Sequence, residues 1–303
     1  RLYCKPRGAG NARLPFAIIA MMFALWVSLV AAGCAAAYLL LFYLPRRRLR
    51  RAVARPFPAA WHAALQHLPH YTRLPPELQD ELRHKIKAFL HEKQFVGCDG
   101  LIVTDEMRVL IAAQACLLLL NRPSNGYHKL RWIYLYPGEF RSRTPERDDD
   151  GVVSHASGTL AGVSWENGRV VLAWDSVRRG LAREDDGYNV VLHEFAHQLD
   201  QEDGFADGVP LLYRQDDYSS WSQAFNDEYE RLLDAVETGE DSLIDPYGAT
   251  NPAEFFAVVT ELFYERPIEL SQYSPGLYDA MSAYYRVDPR HWHAEAATGP
   301  QML

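Results

Sequence analysis

Acidic side chains are missing from the first 55 residues, which nevertheless hold ten Lys and Arg. The rest of the chain carries 21 basic against 39 acidic side chains. A body that acidic is a poor match for the phosphate backbone of nucleic acid, so direct nucleic-acid binding is not expected. Cysteine is scarce as well. Cys4, Cys34, Cys98 and Cys116 form no CxxC pair, which argues against a thiolate zinc site and against a disulfide framework. Cys116 sits in an apolar run and reads as a small core residue, and so low a count fits a reducing compartment. Repeats and long low-complexity tracts are also missing. What is present, 48% hydrophobic and 23% charged residues in a chain of 303, is the composition of a globular protein rather than a disordered one.

One segment departs from that composition. Residues 14–44 form 31 consecutive positions without a charge, dense in Ala, Leu, Phe and Val. About 20 apolar residues suffice for a helix to cross a bilayer, so this run spans with some tilt. It stops at Pro45 and gives way to Arg46, Arg47, Arg48, Arg50, Arg51 and Arg55. Arg1, Lys5, Arg7 and Arg13 precede it. The larger cluster is expected to stay in the cytoplasm, making this a single-pass protein of the inner (cytoplasmic) membrane with residues 46–303 inside. A cleaved signal peptide has a shorter apolar core and no stop-transfer arginines. The expected division is a membrane anchor over residues 1–55 and a globular domain over residues 56–303. The first residue is Arg rather than Met, so a start upstream is expected.

Residues 56–75, rich in Pro and aromatics, read as a linker packing onto the domain. Pro75 and Pro76 lead into a helix over 77–94 with Leu82, Ile86, Phe89 and Leu90 on one stripe. Thr104 is a good N-cap, followed by Asp105 and Glu106, for an apolar core helix reaching Leu120. Residues 130–136 read as a strand. Asp148, Asp149 and Asp150 fall in a polar stretch expected to be an exposed loop. Asn167-Gly168, between the strand-like runs 160–165 and 169–174, signals a hairpin. Helices are expected over 186–200, 217–237, 252–265 and 274–285. The fold class is therefore α+β, mainly helical with a small sheet.

The chemistry lies in His193-Glu194-Phe-Ala-His197. Residues four apart in a helix share a face, so His193 and His197 can grip one ion, and neutral imidazole suits zinc. Glu194 lies beside that face, where its carboxylate can take a proton from water activated by the metal. Flanking Val190, Val191 and Leu192 mark a buried helix, where such polar residues are costly without a task. A third ligand is expected from the helix opening at Asn251-Pro252. Glu254 and Glu261, seven apart, share one face of it, and spacing does not choose between them. His155, His291 and His293 lie outside periodic helices and are weaker candidates. Tyr247, seven residues before Glu254, can donate to an oxyanion. Asp200, one turn after His197, reads equally as an imidazole-orienting carboxylate or a helix-end carboxylate.

These blocks resemble the MtfA peptidases, the Mlc titration factor group of zinc metallopeptidases. The resemblance covers nearly all of residues 76–285. It is carried by Glu92 to Gly97 (EKQFVG), Leu101 to Ala115 (LIVTDEMRVLIAAQA), Tyr136-Pro-Gly-Glu-Phe140, Asn189 to Asp203, and Pro252 to Val258. That family is similar in its catalytic core to anthrax lethal factor, where a Tyr stands seven residues before a ligand Glu in an A-E-F-F context. Tyr247 and Glu254 match that pattern. The resemblance therefore implies a zincin-like fold, one zinc ion, Glu254 as third ligand and Tyr247 as oxyanion stabiliser. Related peptidases often carry an acidic residue one turn after the ligand Glu. Here that position is Val258, so the support for the ligands must come from elsewhere, with Glu261 as a candidate.

The resemblance further implies aminopeptidase activity on a peptide or protein substrate, and a transcriptional repressor as binding partner. The N-terminal span is not part of the best-known member of the family. A peptide is expected to pair along an edge strand of the 160–174 hairpin. The competing expectation is a membrane-tethered binding protein that sequesters a repressor, with zinc structural or vestigial.

Overall fold

The uncharged N-terminal run forms a helix that outlasts it. In the computed structural model, which describes residues 16–122, 126–141, 146–147, 153–154, 159–160, 162–165, 168–183, 185–214 and 217–297, α1 (Phe16–Tyr38) passes into a π-helical stretch, Leu39–Tyr43, and then α2 (Leu44–Ala54). Pro45 has no N–H to return to the preceding turn, and the helix absorbs this by widening just before it. The Leu44 N–H reaches back five residues to the Leu39 carbonyl. The apolar run ends at Pro45, but the helix carries the five arginines from Arg46 to Arg51 as well. The helical segment Ala20–Ala54 is long and apolar enough to cross a membrane, with a mean hydropathy of 2.1 in its best window.

The chain divides into two compact units, Arg1–Ala54 and Arg55–Leu303. In the second, the stretch read as a linker contains α3 (Ala59–Leu65) and α4 (Pro69–Thr72), and buries Leu65, Leu68, Tyr71 and Leu74. α5 (Pro76–Glu92) buries Leu82, Ile86, Phe89 and Leu90 as expected. It stops two residues short of the expected end, because β1 (Gln94–Gly97) begins there and pairs with β2 (Trp132–Tyr136). Thr104 caps α6 (Asp105–Leu117): its hydroxyl accepts from the Met107 N–H at 3.2 Å. Every residue from Val109 to Leu117 is buried, so α6 is a central core helix.

Two two-stranded pairs follow, β3 (Phe140–Arg141) with β6 (Thr159–Leu160), and β4 (Glu146–Arg147) with β5 (Val153–Ser154). The expected loop at Asp148 to Asp150 lies outside the described residues. β7 (Gly162–Trp165) and β8 (Arg169–Ala173) form the expected hairpin, from Trp165↔Arg169 to Gly162↔Leu172. The main sheet has the order β1-β2-β8-β7. Its first three strands are parallel, while β7 is antiparallel to β8 and forms one edge. Trp174, read as the end of a strand, opens α7 (Trp174–Ala182).

The helical half comprises α8 (Val190–Asp200), α9 (Asp217–Thr238), a 3₁₀ turn over Pro246–Thr250, and α10 (Pro252–Glu265). It ends with α11 (Pro267–Tyr273), α12 (Pro275–Tyr285) and α13 (Arg290–Ala297). α8 lies at the centre, packed on α10, α6, α7 and β7. The α+β, mainly helical architecture with a small sheet is as the sequence implies.

Candidate metal centre

Asn189 starts the helix that carries the histidines. Its side-chain oxygen accepts from the N–H groups of Val191 and Leu192, both at 3.1 Å, so α8 opens at Val190 rather than earlier. Asn251 does the same for α10. Its oxygen accepts from the Glu254 N–H at 3.0 Å, with Pro252 at the first helical position.

The packing of α8 on α10 brings the two faces together. His193 Nε2 lies 2.9 Å from Glu254 Oε2 and 3.2 Å from His197 Nε2. His197 Nε2 is 3.3 Å from the same Glu254 oxygen. On the other edge of the His193 ring, Nδ1 is 2.8 Å from Glu261 Oε1. The two carboxylates that share a face of α10 thus divide the work. Glu254 joins the imidazoles, and Glu261 braces one of them from behind. With Nδ1 donating to Glu261, Nε2 of His193 turns its lone pair toward the other two donor atoms.

Tetrahedral zinc with Zn–N distances of about 2.0–2.1 Å holds its ligand atoms about 3.3 Å apart. The triangle of His193, His197 and Glu254 has that size, and two lone-pair nitrogens facing one carboxylate oxygen form a donor set for a divalent cation. These residues fit a metal ion.

Glu194 is buried beside the triangle, and its Oε2 has no hydrogen-bond partner among the described residues. Burial pushes its carboxyl up to about 8; His193 opposes this, and the carboxylates of Glu254 and Glu261 reinforce it. A bound cation would pull it back down. Against the effect of burial, the two imidazoles hold the Glu254 carboxyl well below the usual range. Burial, with Glu254 and Glu194 nearby, raises the Tyr247 phenol, which keeps its proton and remains a donor. Tyr247 is 52% exposed, its ring centroid 6.0 Å from that of His193. It stands at the mouth of a cavity of about 260 Å³ whose walls include Gly162, Tyr188, Val190, His193, Glu194 and Val258.

Asp200 makes no hydrogen bond to an imidazole among the described residues. It accepts from the Gly208 N–H at 3.1 Å. Gly208 has φ +75°, and a Cβ there would stand 2.3 Å from the Pro252 carbonyl oxygen. Asp200 therefore ties the segment after α8 to the start of the helix bearing Glu254. His291 is exposed, 3.9 Å from Asp288, and His293 contacts the Tyr264 carbonyl at 3.2 Å; neither joins the triangle. His155 lies outside the described residues. Sequence reasoning missed Gly162, whose backbone in β7 runs directly over Glu194: a Cβ there would lie 2.5 Å from Glu194 Oε1.

The glucose-regulated metallo-peptidase M90 family matches residues 44–286. The chain belongs to that family. Among similar proteins, an uncharacterized one from Synechocystis sp. (strain ATCC 27184 / PCC 6803 / Kazusa) is 45% identical over 244 residues, covering 80% of this chain and 89% of its own length. Mlc titration factor A of Pectobacterium atrosepticum is 32% identical over 232 residues, 76% of this chain and 86% of its own length. Mlc titration factor A of Yersinia pestis is 30% identical over 252 residues, covering 80% and 91%. The family match runs from Leu44 at the start of α2 to Arg286 just past α12, so the residues of this candidate site, from Gly162 to Glu261, fall inside it.

Proposed function

We propose that this M90 metallopeptidase is a zinc-dependent peptidase that uses Glu194 as general base and acid. The observation that carries the reading is the triangle of His193 Nε2, His197 Nε2 and Glu254 Oε2, with Glu194 buried beside it and its Oε2 without a partner among the described residues. Zinc, when held by those three side chains, supplies a Lewis acid that lowers the pKa of water and polarises a carbonyl. The chain's own groups do the rest. Glu194 accepts the proton of the attacking water and passes it to the leaving nitrogen. The Tyr247 phenol donates to the oxygen that gains charge. Glu261 keeps the His193 ring in orientation. The β7 edge offers main-chain groups to an extended peptide, whose scissile bond then lies over Glu194 at Gly162.

The finer reading is an enzyme anchored in the inner membrane by the N-terminal helix, with its catalytic unit in the cytoplasm. There it has aminopeptidase activity and a regulatory link to a transcriptional repressor. The helix of Ala20–Ala54 and the arginines of α2 support the anchor. The name of the Mlc titration factor A relatives supports the regulatory link.

The test compares wild type with Glu194→Gln for metal content and peptide hydrolysis. Both are expected to hold one zinc per chain, with the variant about 10²- to 10⁴-fold slower. A variant that binds zinc normally and hydrolyses at the wild-type rate overturns the mechanism. Zinc in both with hydrolysis in neither, across a broad peptide library, would favour the tethered binding protein.

A further inference from the structure

Asn189 is more than a helix cap. Its side-chain amide donates to Gln114 Oε1 of α6 at 2.8 Å and to Glu265 Oε1 of α10 at 3.1 Å. Its backbone N–H donates to Glu261 Oε2, the oxygen next to the one that holds His193. Glu265 Oε2 accepts in turn from the Gly187 N–H at 3.1 Å. Asn189, Gln114, Glu261 and Glu265 are all buried. Every polar atom of Asn189 on this face therefore has a partner, and three helices meet on one residue.

Two carboxyl groups buried four residues apart on one helix are unfavourable, through desolvation and mutual repulsion. An apolar residue at 265 would pack without that penalty. The arrangement has a consequence that packing alone does not need. Glu261 can aim one oxygen at His193 only because the other is committed to the Asn189 backbone. The Asn189 backbone is held in place by Glu265 and Gln114.

We propose that Asn189 and Glu265 are positioning residues of the metal site, acting on His193 through Glu261. This rests on the reading of His193, His197 and Glu254 as metal ligands. Neither residue touches substrate or metal. Their effect is on the aim of the His193 imidazole, and so on metal affinity and turnover together.

The polarity of the pair can be reversed. Asn189→Asp keeps the cap acceptor but sets an oxygen against Glu265 and Gln114, where a donor stood. Glu265→Gln sets an N–H against either Asn189 or Gly187. In the double variant the new amide at 265 donates to the new carboxylate at 189 and still accepts from Gly187. Metal affinity, measured on the full chain by competing zinc against a chromophoric chelator, is expected to fall about 10-fold in each single variant. kcat should fall with it and KM stay unchanged, and the double variant should regain the part of the loss that comes from Glu265, the Gln114 oxygen still facing the new carboxylate. Should a single variant fail to fold, recovery in the double variant carries the test.

If both singles bind zinc as tightly as wild type, turn over normally and lose only thermal stability, the residues are structural and the proposal is wrong. A double variant no better than the two singles combined overturns the pairing. Wild type that binds zinc without hydrolysing any peptide would sink the peptidase reading, while the affinity comparison would still decide the positioning one.

Discussion

A single missing Cβ sets how closely the sheet edge approaches the proposed base. At Gly162 any side chain would meet the Glu194 carboxylate, 2.5 Å from Oε1 and 2.7 Å from Cγ. Two of the three atoms met, Oε1 and Cδ, lie at the end of the Glu194 side chain, so Gly162→Ala is expected to fold by pushing the carboxylate out of line. Misplacement of that order lowers turnover on the order of 10²-fold. Equal kcat in Gly162→Ala and wild type would show that the carboxylate has room to spare. Tyr247 tests another part of the cavity wall. Its phenol is half exposed, so Tyr247→Phe removes a donor without disturbing the core. The expected result is an unchanged zinc content and a kcat lowered about 10²-fold. A Phe variant as active as wild type would leave the oxyanion without this donor. Spacing in the sequence exposed His193, Glu194 and His197, because a helix turns a four-residue interval into a shared face. Gly162 and Glu265 carry no such interval. What singles them out is the approach of β7 to α8 and of α10 to Asn189, which exists only once the chain is folded.

Elements long enough to show a period or a cap were legible, and short ones were not. α5, α6, α8, α9, α10 and α12 each run for eleven residues or more and were expected close to where they lie. α4, α11 and α13 span one or two turns, too few for a stripe to emerge. β1 has four residues and pairs with a strand that begins at Trp132, so its existence depends on a partner far along the chain. α8 shows why even a legible element keeps a surprise at its end. Asp200 closes this helix, fully buried, where the helix dipole disfavours a negative charge. Burial pushes its carboxyl up to about 6, the Gly208 N–H opposes this and Asp207 adds to it. The ordinary value of the group, which the unfolded chain is taken to have, is 3.8. Between those values the folded chain keeps a proton that the unfolded chain has released. Its contribution to stability is therefore greatest below pH 3.8, falls as pH rises through the window, and is flat above about 6. The slope reaches at most about 1.4 kcal/mol per pH unit. Urea denaturation of the metal-free protein across this range should show a shallower fall in Asp200→Asn than in wild type. Parallel curves would mean that Asp200 titrates alike folded and unfolded.

At the scale of the whole molecule, a basic apolar unit and an acidic globular one are joined in one chain. The second unit has its own core, from Ala64 in α3 to Trp292 in α13. The first buries nothing within the candidate span and has the length of a bilayer crossing. From Phe16 to Leu44 a helix extends about 43 Å, more than the ~30 Å hydrocarbon core, which a tilt accommodates. The arginines of α2 continue the same helix out of the apolar zone, and moving them across the bilayer would be opposed by the membrane potential. The full chain is therefore expected to stay with membranes through carbonate extraction. Alkaline phosphatase fused after Leu303 should be inactive, because it works only outside the cytoplasm. Active phosphatase would place the metal site on the far side of the membrane. A cytoplasmic repressor would then be out of reach, and peptides outside the cytoplasm would become the substrates to test.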